Sequence, residues 1–144
     1  MKKTLSLLLI SSLTSLLASD LIQVKSSVNM EICIQRIITK IENSKGFSVF
    51  SMIDHQKNAQ RMGLDLPPQK VIIFGNPKAG TKLLQVDAQI GYDLPLRIMV
   101  RQGSDETVVE YRNPETFSKI YELSKSPTPK KMGHLLKNLA SSCQ

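Results

Sequence analysis

Apolar positions recur along this chain with two different periods, and the switches between them divide it into elements. "LIQVKSS" (21–27) alternates apolar and polar residues and predicts a strand. Between Val28 and Ser44, Met30, Ile34, Ile37, Ile38 and Ile41 fall at helical spacing, and Gly46 supplies the stop. "FSVFSMI" (47–53) returns to period two, with Phe47, Val49, Ser51 and Ile53 expected on one face and Phe50 and Met52 on the other. "HQKNAQRM" predicts a short helix ended by Gly63, and the paired prolines of "LDLPP" predict a turn. "KVIIF" (70–74) has the continuous apolar character of a central strand. Asn76-Pro77 opens a helix to about Val86, because Asn caps and Pro suits a first position that needs no N–H partner. "LPLRIMVRQ" (94–102) and "TVVEYR" (107–112) predict a hairpin across "GSDE". Asn113-Pro114 and Thr128-Pro129 open two further helices, the last with Met132, Leu135, Leu136 and Leu139 along one side.

Five strands and at least two substantial helices, with no repeat and no long linker, predict an α+β fold. Its mostly antiparallel five-stranded sheet would carry helices on one face. The start of the chain changes the picture of where this domain works. "MKKTLSLLLISSLTSLLAS" has two lysines, a short apolar stretch and small residues before Asp20, the layout of a secretory signal peptide. It is too short for a membrane span of about 20 residues. An uncleaved anchor is the alternative, because Leu16 or Leu17 would sit where cleavage prefers a small residue. Residues 1–19 are therefore expected to direct export to the periplasm or the extracellular space, leaving one domain at 20–144. Without Lys2 and Lys3 the 19 basic residues become 17 against 12 acidic, a net charge of +5. That mild charge, with 5% aromatic residues and no Trp, argues against nucleic acid as a partner.

"FGNPKAGTK" (74–82) approaches a phosphate-binding loop, since Gly75 and Gly80 have its spacing. The following pair is Thr81-Lys82, however, the reverse of the required order. Lysine and hydroxyl would each point where the other is needed. An exported chain of this size is also a poor nucleotide enzyme, so the loop calls for another explanation.

Several segments together are more informative than any one. Ile53, Asp54, His55, Asn58 and Ala59 fit a pattern I-D-H-x-x-N-A, and Gly63 to Pro68 fit G-L-x-L-P-P. Phe74 to Pro77 with Gly80 and Thr81 fit F-G-N-P-x-x-G-T, and Asp93 to Leu96 fit D-L-P-L. With this order and spacing the chain resembles the domain-of-unknown-function 302 family over about residues 22–123. The resemblance implies a single copy of the TATA-binding-protein-like α+β fold that self-associates as a homodimer. It implies no DNA binding and no established activity. The basic amphipathic helix at about 129–142 lies beyond the matched motifs.

His55 is the leading candidate for chemistry. It follows a strand, beside Asp54 and one helical turn before Asn58, and an approach of Asp93 would complete an Asp–His pair. The structural alternative is that Asp54 caps the helix while His55 bonds to backbone. In the glycine loop, Gly75 and Gly80 would admit a ligand to the backbone, and Asn76, Lys78 and Thr81 offer polar groups to an anion. His55, Asn58, Gly75, Asn76, Lys78, Gly80 and Thr81 are thus the expected binding residues for a small, anionic ligand. An enzyme using His55 with Asp54 or Asp93 and an interaction module of the cell envelope are the alternatives. No cofactor is expected, and no metal, because two His and two Cys lie at no ligand spacing. Cys33 and Cys143 either form a disulfide in an oxidising compartment or remain two unpaired thiols. The last helix either packs on its own domain or rests its stripe and lysines on an anionic membrane surface, packing being favoured.

Overall fold

Antiparallel pairing organises the chain from end to end. The computed structural model describes residues 20–123 and 125–144, so the expected export segment at 1–19 lies outside the described residues. Strands β1 (Leu21–Ser26), β2 (Ser48–Asp54), β3 (Gln69–Gly75), β4 (Leu96–Gln102) and β5 (Thr107–Arg112) form one sheet in the order β1-β5-β4-β3-β2. Every neighbouring pair in it is antiparallel. Helices α1 (Met30–Glu42), α2 (His55–Arg61), α3 (Pro77–Val86), α4 (Phe117–Ile120) and α5 (Thr128–Ala140), with short 3-10 turns, complete an α+β fold of the expected class.

Local chemistry sets the boundaries. Side chains of Asn29, Asp54 and Asn76 accept the backbone N–H three residues on, at 2.9–3.0 Å, and so start α1, α2 and α3. Gly46 stands at φ +80°, and a Cβ there would lie 2.7 Å from the Asn76 amide nitrogen. Both the backbone and the close approach therefore require glycine.

The sheet register gathers one apolar face. Val24 pairs with Val109 and Val109 with Val100, while Ile72 pairs with Ile98 and Phe74 with Leu96. Onto this face α1 brings Cys33, Ile37 and Ile41, and α5 brings Met132, Leu136 and Leu139, all in a single buried cluster. The stripe of α5 is thereby buried in the domain's own core, with Lys130, Lys131 and Lys137 exposed. On the opposite face Glu110 is only 4% exposed. Its carboxylate is satisfied by Arg101 at 2.5 and 2.9 Å and by Gln23 at 2.8 Å, which offsets the cost of burying a charge.

One expectation fails at β2. Val49 pairs with Phe74 but Ser51 pairs with Ile73, so an extra residue, Phe50, is inserted between them. This bulge shifts the alternation by one. Met52 then shares the side of Ile72, and Ser51 and Ile53 fall on the face opposite to Val49.

Cys33 and Cys143 are joined as a disulfide across 110 residues, tying α1 to the turn that ends α5. The Cys143 carbonyl also accepts the Ser27 N–H and the Ser26 hydroxyl, each at 2.9 Å. Closing so long a loop removes much freedom from the unfolded chain, about 5 kcal/mol on the chain-entropy model. A Cys33→Ser/Cys143→Ser double variant should therefore unfold at clearly lower urea concentration than the oxidised parent. Reductant should lower the parent's midpoint to the variant's and leave the variant unchanged. Equal midpoints for oxidised parent and variant would refute the contribution.

Candidate ligand pocket

Because β2 and β3 run antiparallel, the segments that follow them leave the sheet at opposite ends. Asp54 pairs with Lys70, and Ser48 with Gly75. His55 and the loop after Gly75 are thus separated by the length of β3, about 20 Å at about 3.3 Å per residue. The expected joint site of "IDHQKN" with "GNPKAGT" does not assemble.

At the His55 end, Asp54 caps α2 through the Lys57 N–H at 2.9 Å and approaches Lys70 at 3.6 Å. The Lys57 backbone hydrogen bond, then the Lys70 charge, hold its carboxyl below the usual range despite some desolvation. The half-buried His55 side chain makes no hydrogen bond or ion pair with another described residue, and Asn58 is exposed. Asp93 lies at the far end, before β4, where it accepts the Tyr121 hydroxyl at 2.6 Å and stands 3.8 Å from Arg97. The Asp–His pair is therefore absent, and Asp93 is engaged elsewhere.

The opposite end of the sheet carries a cavity of about 720 Å³. Its walls are α3, the first half of α5, and the strand ends that meet there: the start of β2, the end of β3 and the start of β4. From the glycine loop, Gly75, Asn76, Gly80 and Thr81 line it, while Lys78 is exposed outside the lining. Leu83, Leu96 and Met132 form buried parts of the wall, and Phe50 and Leu84 line it while remaining 49% and 40% exposed. Most of the surface is apolar. Polar groups enter from Asn76, Thr81, Thr128 and Lys131.

Each wall has a local cause. Asn76 caps α3 through Ala79, so the chain turns from β3 directly into a helix whose inner face carries Ala79, Gly80 and Leu83. Gly75 lets the Phe50 ring lie close, since a Cβ there would be 3.1 Å from it. The bulge in β2 is what supplies Phe50. Sequence reasoning missed Phe47, Phe50, Leu84, Leu94, Pro95 and the α5 residues. The D-L-P-L motif was the available signal for Leu94 and Pro95, because it and the glycine loop meet here. For α5 no local signal existed, since its approach is a product of tertiary packing.

Residues 22–140 match the family described as Domain of unknown function DUF302, so the match extends through α5, beyond the expected limit at 123. A crystal structure of an uncharacterized conserved protein DUF302 from Bacillus stearothermophilus superposes with a TM-score of 0.75 at 22% identity. The match covers 88% of this chain and all of that one, a likeness of fold. Two curated relatives are each 36% identical over 115 residues, 79% of this chain. They are the "Fluoride-specific ion channel FluC 1" proteins of Brucella suis biovar 1 (strain 1330) and Brucella abortus biovar 1 (strain 9-941). The aligned region is 45% and 42% of those proteins, so this chain spans less than half their length.

The Asp93–Tyr121 contact gives a pH signature for this end of the molecule. Donation to Asp93, aided by desolvation, pushes the Tyr121 phenol up to about 12 from its ordinary value near 10. A group whose folded pKa is raised contributes stability below its unfolded pKa and loses it as pH rises through the folded one. Unfolding free energy should thus fall between pH 10 and 12. Tyr121→Phe should flatten that fall relative to the parent, measured by urea unfolding at each pH; an identical slope in both proteins would contradict the assignment.

Proposed function

This chain belongs to the DUF302 family, and for it we propose the role of an exported binding protein for a small, largely apolar ligand held at the α3–α5 end of the sheet. The cavity of about 720 Å³ carries this reading. Its size falls within the range that holds small organic ligands, about 300–1,000 Å³, and its lining has the usual mix of apolar walls and a few polar groups. Placement of exposed Phe50 and Leu84 in the lining supports it further, because exposed large apolar side chains grouped at a concavity mark contact sites. Export rests on the composition of residues 1–19 and on the Cys33–Cys143 bridge, which suits an oxidising compartment.

Binding without turnover is favoured over catalysis. His55, the leading candidate for acid/base work, lies at the other end of β3, and no Cys, His or carboxylate lines the cavity among the described residues. The channel activity in the names of the Brucella proteins forms no part of this reading. Those proteins extend well beyond the aligned region. Among the described residues of this chain no helix is long and apolar enough to cross a membrane.

A neutral apolar fluorophore, N-phenyl-1-naphthylamine, tests the reading directly. The mature protein should enhance its emission saturably, with a Kd of about micromolar order, the equivalent of about 8 kcal/mol. Leu135→Trp, which fills the cavity from α5, should weaken the dye at least about tenfold. His55→Ala should leave it unchanged. Saturable binding that ignores Leu135→Trp, or no binding by the parent, would overturn the proposal.

A further inference from the structure

The apolar walls of the cavity say that an apolar body can enter; the distribution of charge around it says what kind of head that body carries. Lys131 is the one charged side chain in the lining among the described residues. It is exposed, and it forms no ion pair or side-chain hydrogen bond with another described residue. Lys78 and Lys82 are exposed on α3 beside the lining residues Ala79, Gly80 and Thr81, and Lys130 precedes Lys131 on α5.

No carboxylate lines the cavity among the described residues, and the acids carried by the neighbouring segments have their own contacts. Asp93 accepts the Tyr121 hydroxyl. Asp87 accepts the Gln89 and Glu122 backbone N–H groups at 2.9 and 3.0 Å. Glu115 packs beside Gly133, which is absent from the lining. Cation without counter-ion at an apolar cavity is an arrangement that attracts a negative group, and the low-dielectric wall strengthens that attraction over its value in open water.

We infer that the ligand is an amphiphile with a single anionic head, its apolar body in the cavity between α3 and α5 and its head against Lys131. This rests on the reading of the cavity as a binding site and specifies its ligand. Thr81 and Thr128, both in the lining, have hydroxyls that can donate to the same head. Carboxylate and phosphate heads share the required chemistry. A cationic head is disfavoured by Lys131, and a doubly polar ligand such as a sugar would leave most of its groups facing apolar walls without partners.

Competition against bound N-phenyl-1-naphthylamine separates this inference from the reading beneath it. Undecanoate, decyl phosphate and decanol have the same ten-carbon alkyl chain and differ in the head. At least one of the two anions should displace the dye about fivefold more effectively than decanol, the effect of one partly exposed ion pair. That preference should shrink towards unity in Lys131→Met, whose urea midpoint should match the parent's, and with rising salt. The anion that competes better identifies the head.

Equal or better competition by decanol would overturn the inference while leaving an apolar pocket. So would an anion preference that survives in Lys131→Met, or failure of all three alkyl compounds to displace a dye that is itself sensitive to Leu135→Trp. Absence of dye binding would overturn the underlying reading as well.

Discussion

The register of β3 against β4 is the constraint from which this end of the molecule follows. Pairing Phe74 with Leu96 places the turn into α3 beside the approach to β4. Asn76-Pro77 and Leu94-Pro95 are therefore neighbours although they are separated by the whole of α3. A shift of one residue in that pairing would move Phe74 and Ile72 out of the core and carry the glycine loop away from Leu94. The cavity is consequently a property of the sheet, held by central strands. Its walls on the helix side depend in turn on how α3 and α5 dock against that fixed edge.

Helix α5 serves two purposes with interleaved residues. Met132, Leu136 and Leu139 enter the core, whereas Thr128, Lys131 and Leu135 line the cavity, with Met132 belonging to both. A helix offers a new face every 100°, so adjacent residues such as Leu135 and Leu136 can be assigned to different neighbours. The far end of α5 is secured by the Cys33–Cys143 bridge and by the hydrogen bonds to the Cys143 carbonyl. Its near end is held by the buried Pro129 and by the Ser126 hydroxyl, which accepts the Thr128 N–H at 3.3 Å.

Much of this was legible in the sequence. The Asn76 cap, the stop at Gly46, and the apolar periods located the principal helices and strands, because those signals act within a few residues. The bulge at Phe50 was not legible: a period-two pattern reads equally well with or without one inserted residue, and pairing with β3 decides. The site failed for a related reason. Gly75, Asn76, Gly80 and Thr81 were identified, but joining them to His55 and Asn58 required consecutive strands to end on the same side, as parallel strands do. Antiparallel pairing reverses that. The motifs divide accordingly, with I-D-H-x-x-N-A and G-L-x-L-P-P at one end of the sheet and F-G-N-P-x-x-G-T and D-L-P-L at the other.

The start of α5 departs from the rules that the other long helices obey. α1 and α3 begin with an Asn side chain bonded to a backbone N–H, and α2 begins with Asp54 in the same role. α5 begins after Pro127, which offers no side-chain cap, although the Ser126 hydroxyl accepts the Thr128 N–H at 3.3 Å, and Lys130 and Lys131 stand close behind. Positive side chains at the positive end of a helix dipole are locally unfavourable. Neither lysine recovers that cost by burial or by an ion pair in this structure. Lys57 and Lys78 stand likewise in the acid-free first turns of α2 and α3, so the missing cap residue is what sets α5 apart. Here the breach coincides with the one stretch of α5 that lines the cavity, so the helix is most at odds with itself where a negatively charged guest would relieve it.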